Sequence, residues 1–194
     1  MSMIRKNQWI IFIINLIMIL FFAWFYLNKG NLEFIIYVSI IIVLFGIIIL
    51  TNEKVRYPNY VLWLLTGWAL IHMAGGSVRV GDGRLYDVIL INISETYRVL
   101  KYDQFGHIFG FMTATFLAYE LVKKFLKRSM SFSIGLIILM AGLGLGALNE
   151  IIEFIVILII PETGIGGYEN SMLDLVSDLI GAIIAIGILI LKEN

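Results

Sequence analysis

"WIIFIINLIMILFFAWFYL", residues 9 to 27, is an apolar run without a single charged side chain. As a helix rising about 1.5 Å per residue, it matches the ~30 Å hydrocarbon core of a bilayer. Arg5 and Lys6 precede it, as in a secretory signal, but no small-residue cleavage site follows, so the run reads as a retained transmembrane helix. The rest of the chain has the same character. Hydrophobic residues make up 60% and charged ones 14%, where soluble domains carry about a quarter charged. This is the composition of an integral membrane protein.

Five further segments have the length and apolarity of spans, or nearly so: 33 to 51, 59 to 76, 103 to 125, 132 to 159 and 171 to 191. Breakers separate them, with "NKGN" at 28 to 31, "RYPN" at 56 to 59 and "PETGIGG" at 161 to 167. The expected fold is all-α, a polytopic bundle of about six transmembrane helices forming a single membrane domain over 1 to 194. Within it, 1 to 58 supplies two peripheral spans and 59 to 191 a four-helix core, with a long outer loop at 77 to 102.

Lys and Arg accumulate in short cytoplasmic loops. With the N-terminus inside, the inner side holds Arg5, Lys6, Lys54, Arg56, Lys123, Lys124, Lys127, Arg128 and Lys192, and the short outer loops only Lys29. The long loop, with Arg79, Arg84, Arg98 and Lys101, weakens this count without reversing it. Both termini are therefore expected in the cytoplasm and the protein in the cytoplasmic membrane. In the loop, "VGDG" at 80 to 83 reads as a turn and "LYDVILINI" at 85 to 93 as a surface segment or lid; "NIS" at 92 to 94 matches a glycosylation acceptor or arises by chance.

The net charge is zero and the one basic run, Lys123 to Arg128, flanks an apolar segment, so nucleic acid is not an expected partner. There is no cysteine, which excludes disulfides, thiolate metal sites and cysteine nucleophiles. Any metal is held by oxygen and imidazole.

Against this background "GALNEIIEFIVILII", residues 146 to 160, carries two carboxylates, Glu150 and Glu153. Placing each intramembrane polar residue by helical rise puts His72, Asp103, His107, Glu150, Glu153, Asp174 and Asp178 in one layer toward the outer face. Asp103 and His107, and Asp174 and Asp178, are i and i+4 pairs; Glu150 and Glu153 are i and i+3, so each pair shares a helix face. "DQFGHIFG" (103 to 110) and "DLVSDLIG" (174 to 181) share the pattern D-x3-(H/D)-x2-G. This reads as a parallel repeat, with the two helices facing each other and a glycine in each allowing close approach.

The blander readings are that Asp103 is only an N-cap, Asp174 a first-turn acid, His72 an isolated core residue, and Glu120 a surface acid beside Lys123 and Lys124. Gly142, Gly144 and Gly146 in "AGLGLGA" read as helix packing, with Gly142-x-x-x-Gly146 as the seam. Capping does not account for Asp178, Glu150 or Glu153, which lie too deep. A charged acid at mid-membrane costs at least about 2.5 kcal/mol on insertion scales. The compensation is a bound cation, loop arginines such as Arg79, Arg84 or Arg98 folding back, or protonation.

"HMAGG" (72 to 76), "LYDV" (85 to 88), "YDQFGH" (102 to 107), "NEIIEF" (149 to 154) and "YENSMLDLVSDLIGA" (168 to 182) together resemble the YjdF-like family of multipass membrane proteins. The last motif is distantly similar to VanZ-like proteins, a group linked by name to glycopeptide resistance. The resemblance implies a helical inner-membrane protein and the same seven functional residues, and brings no reaction with it. One departure is that some members carry an acid three residues before Asp174, where this chain has Ser171 beside Asn170.

The leading expectation is a metal-dependent hydrolase or transferase acting on a membrane lipid or lipid-linked substrate at the outer leaflet. His72, His107, Asp174 and Asp178 would be ligands to a divalent cation such as Zn, Mn, Fe, Mg or Ca, with Glu150, Glu153 and Asp103 as the catalytic acids and bases. The alternatives are a proton- or cation-coupled transporter using the same acids, and a non-catalytic membrane assembly factor. A transporter needs polar residues toward the cytoplasm, and only Thr113, Thr115 and Ser133 offer themselves there.

With no native cysteine, single cysteines report topology directly. Asp82→Cys is expected to react with a membrane-impermeant maleimide on intact cells and Lys54→Cys only after lysis. The opposite labelling pattern would invert the orientation.

Overall fold

A computed structural model describes residues 4 to 94, 97 to 126, 130 to 160 and 163 to 193. Lys127 and Arg128 of the charge count, and the first two residues of the "PETGIGG" breaker, lie outside the described residues. The chain is helical almost throughout: α1 (Trp9–Lys29), α2 (Leu32–Val55), α3 (Asn59–Ser77), α4 (Tyr102–Lys123), α5 (Phe132–Ile159) and α6 (Tyr168–Glu193). Between α3 and α4 a short hairpin, β1 (Arg79–Val80) and β2 (Gly83–Arg84), turns through Gly81 in the left-handed region, where the sequence places a turn.

Five of these helices are long and apolar enough to cross a membrane. The exception is α3, in which Asn59, His72, Gly75, Gly76 and Ser77 dilute a 19-residue helix. The breakers act as their chemistry dictates. Gly30, at φ 60°, ends α1 by donating its N–H back to Leu27 and Tyr26 carbonyls, and Asn31 caps α2 by accepting from Phe34 N–H at 3.1 Å.

The helices α4 and α6 pack on each other more extensively than any other pair, and α5 lies against both. Gly181 is what permits this, because a Cβ there would run into the carbonyl of Ile108 on α4. Its repeat counterpart Gly110 instead makes room for the Trp68 ring of α3, so only one of the two glycines serves the α4–α6 approach. On α5, Gly142 accommodates the Thr115 side chain of α4 and Gly146 the carboxylate of Asp178 on α6, whereas Gly144 faces open space.

The α1–α2 hairpin packs on α3 through Phe22, Tyr26, Phe34, Tyr37 and Met73, and α3 in turn packs on α4. Polar side chains join these helices where lipid offers no alternative partner: Asn15 donates to Thr66 at 2.7 Å, and Tyr26 to the Met73 carbonyl at 2.9 Å. At the other end Gln8 donates to the Tyr57 carbonyl at 3.0 Å and accepts from Asn52 at 2.7 Å, tying the start of α1 to the α2–α3 turn.

Overpacking at a tight helix crossing costs about 1 to 3 kcal/mol, so Gly181→Ala is expected to lower stability by that much in detergent unfolding. Gly144→Ala should be neutral or stabilising by up to about 1 kcal/mol through helix propensity. Equal stabilities would show that the α4–α6 approach does not depend on Gly181.

Candidate functional site

The D-x3-(H/D) faces of α4 and α6 meet in the interface that Gly181 allows. His107 is buried at its centre, and its Nδ1 lies 2.8 Å from Oδ1 of the fully buried Asp178. Its Nε2 points the other way, 3.9 Å from Oδ1 of Asp103 one turn earlier. Glu150 Oε1, from α5, stands 3.9 Å from Nδ1. A carboxylate fixing one imidazole nitrogen while the other faces further acids is the usual arrangement behind a metal-ligating histidine.

Asp103 is not the N-cap of α4. That position belongs to Lys101, whose backbone N–H donates to Gln104 Oε1 at 3.0 Å. The Lys101 side chain turns inward, buried, and donates to Asn170 Oδ1, with Asp103 Oδ2 at 3.8 Å. It is held there because residues 88 to 90 pair with 100 to 102 and Leu100 adopts a left-handed conformation, uncommon for a leucine, at φ 61°. Asn170 donates from Nδ2 to Asp174 Oδ2 and, at 3.4 Å, to Asp103 Oδ2. Since α6 begins at Tyr168, Asp174 lies in its second turn, fully buried, and is not a first-turn acid.

On α5, Asn149 donates to Glu153 Oε1 at 2.9 Å and to Glu150 Oε1 at 3.5 Å. Among the described residues, three buried carboxylate oxygens have no hydrogen-bond partner: Glu150 Oε2, Asp174 Oδ1 and Asp178 Oδ2. Such atoms are rare in native proteins and call for a cation, a water or a proton. Two sets of side chains bring their ligand atoms within 4.8 Å of one another, Asp103 with His107 and Asp174, and His107 with Glu150 and Glu153.

His72 is in neither set. Its Nδ1 lies 2.7 Å from the Tyr86 hydroxyl, its ring stacks on Trp68 with centroids 5.7 Å apart, and Tyr37 and Phe34 close the sides. The same hydroxyl donates to the His72 carbonyl at 2.6 Å. Burial pushes the Tyr86 hydroxyl well above its ordinary pKa, so it keeps its proton. With that proton on the carbonyl, Nδ1 is left to donate to the phenol oxygen, which leaves the Nε2 of a neutral His72 free to accept.

Above the cluster lies a cavity of about 270 Å³ whose walls include His72, Tyr86, Arg98, Lys101, Asp103 and Glu153. Of the loop arginines expected to compensate the acids, Arg84 does fold back, but onto Glu33 at 3.2 Å, which also accepts from Gly164 N–H at 2.7 Å. Arg98 donates to the Asp87 carbonyl at 2.9 Å. The cation that reaches the layer is Lys101. Lys101, Asn170, Asn149 and Tyr86 are absent from the sequence-derived set: three fall within the family-like motifs and Lys101 directly beside one, but only the folded chain turns them inward. Glu120, left out of the site, accepts from Tyr60 at 3.1 Å and lies 4.0 Å from Lys123.

Residues 10 to 193 match the family described as "Predicted membrane protein (DUF2238)", and the chain belongs to that family. No curated protein and no solved structure matches it. The protein is thus a multipass helical membrane protein.

Buried partners couple strongly because removing one strands the other. A double-mutant cycle of His107→Gln and Asp178→Asn, followed by detergent unfolding, is expected to give a coupling of about 1 to 3 kcal/mol. Additive effects would mean that the 2.8 Å contact does not hold α4 to α6.

Proposed function

With that membership as the premise, we propose that this protein is a membrane-embedded, divalent-cation-dependent hydrolase or transferase acting on the headgroup of a lipid or lipid-linked substrate. The observation that carries the reading is the set Asp103, His107 and Asp174, with a partnerless buried oxygen on Asp174 and an imidazole braced from behind by Asp178. One nitrogen and several carboxylate oxygens suit Zn, Mn, Fe or Mg. A cation there would supply Lewis acidity toward a carbonyl or phosphoryl oxygen entering the cavity.

The chain's own residues have distinct parts in this reading. Asp103, His107 and Asp174 bind the cation. Asp178 positions His107, and Asn170 holds Asp103 and Asp174 together while anchoring Lys101. Lys101 and Arg98 line the cavity above and would face an anionic headgroup. His72, clamped by Tyr86 with Nε2 free, is the proton acceptor. The cavity volume suits a headgroup, and the acyl chains would stay in the surrounding lipid. The narrower kinship with YjdF-like and VanZ-like proteins, the crossing of the bilayer by all six helices, the inward termini and the cytoplasmic-membrane location belong to the same proposal.

The transport reading fares less well. At the far side of the layer the buried hydroxyls are already committed, Thr113 to the Phe109 carbonyl at 2.8 Å and Thr115 to that of Phe111 at 2.6 Å. Gly142 against Thr115 closes the seam between α4 and α5. Polar groups therefore do not continue as a path.

Elemental analysis of detergent-purified protein after a mild chelator wash tests the proposal. Wild type is expected to retain metal, His107→Ala and Asp174→Asn to lose it, and His72→Gln to keep it. Folded wild-type protein without metal would overturn the reading in favour of protonated acids and proton-coupled transport.

A further inference from the structure

We propose that the layer holds a pair of divalent cations, the second bound by Glu150, Glu153 and Asp178. The inference rests on the cation reading above and extends it to a two-metal centre.

Charge is the first argument. Asp103, Glu150, Glu153, Asp174 and Asp178 bring five carboxylates into a space where Lys101 is the one ammonium among the described residues, and every one of the five except Asp103 is buried. A negative charge of four is left over. A single divalent ion neutralises half of it, and two neutralise all of it. In a low-dielectric layer each uncompensated charge is costly, so with all five ionised the layer has charge enough for a second cation.

Geometry is the second. Glu150 and Glu153 present oxygens within 4.8 Å of a His107 nitrogen and of each other, a set that shares only His107 with Asp103–His107–Asp174. Glu150 is 7% exposed and Asp178 0%, and each has one oxygen with no partner. That oxygen of Asp178 is turned toward α5, over Gly146, where a Cβ would collide with it. Glu150 lies one turn further along the same helix. Gly146 therefore opens the space in which Asp178 and Glu150 face each other.

Asp178 then has two tasks: one oxygen orients His107 for the first ion while the other binds the second. A cation at each set would supply Lewis acidity toward the oxygens of an anionic substrate entering from the cavity. Lys101 and Arg98 at the cavity wall would face the oxygens of an anionic, phosphoryl-type headgroup. The second set is all oxygen, which suits Mg2+ or Mn2+.

The test uses the full chain in detergent, stripped with a chelator and refilled with Mn2+, with stoichiometry by elemental analysis. About two ions per chain are expected in wild type. The Glu150→Gln/Glu153→Gln variant is expected to bind about one ion. Gly146→Ala keeps all five carboxylates and crowds Asp178; with the helicity of each variant checked by circular dichroism, it should bind the second ion more weakly than wild type does. A single ion in wild type, unchanged by either variant, would overturn the second site and leave the first. Two ions retained by the double variant would also overturn it, and no ion at all would overturn both proposals.

Discussion

The contact between His107 and Asp178 is the constraint on which the rest depends. It joins the two helices that pack most closely, at a depth where neither group has water to turn to. In that setting a polar group without a partner costs several kcal/mol, so the pair fixes the register of α4 against α6. Gly181 lets the backbones come close enough for the contact to form, and Gly146 lets α5 approach without striking the carboxylate. Packing and polarity are thus a single requirement here, and a change in either glycine reaches the site as directly as a change in a ligand.

The site is one-sided. Its acids, amides and cavity lie where α3 and α5 end and α4 and α6 begin, under a connection pinned by the Glu33–Arg84 pair and the Gly164 N–H. Deeper in the bundle the hydroxyls bond to their own helices and the glycine seams are filled. A polar compartment that opens at one end and is sealed beneath suits chemistry performed at a membrane surface better than passage through it. The α1–α2 hairpin contributes through Glu33, Phe34 and Tyr37, which reach the cavity and the His72 cage.

Much of this is legible in the chain, because a bilayer makes helices of apolar runs and makes intramembrane charges too costly to be accidental. The runs at 9 to 27 and 132 to 159, the breakers at Gly30 and Asn31, and the i, i+4 faces of Asp103–His107 and Asp174–Asp178 follow from local rules that need no knowledge of neighbours. The repeat correctly placed α4 against α6. It misassigned Gly110, because pattern similarity does not say which neighbour a glycine must accommodate, and here that neighbour is Trp68.

By itself, then, the sequence determined a helical membrane protein and the place of each acid along its helix, since both depend on helical rise and transfer energy, which are properties of the chain in its solvent. Only the tertiary structure decided which groups meet: that Lys101 and not a loop arginine answers the acids, that Arg84 serves Glu33, that Asn170 and Asn149 brace the carboxylates, and that His72 is held apart by Tyr86. Those choices turn on the rotation of each helix about its own axis and on the path of residues 78 to 101. Contacts between segments remote in sequence set both, and no local pattern encodes them.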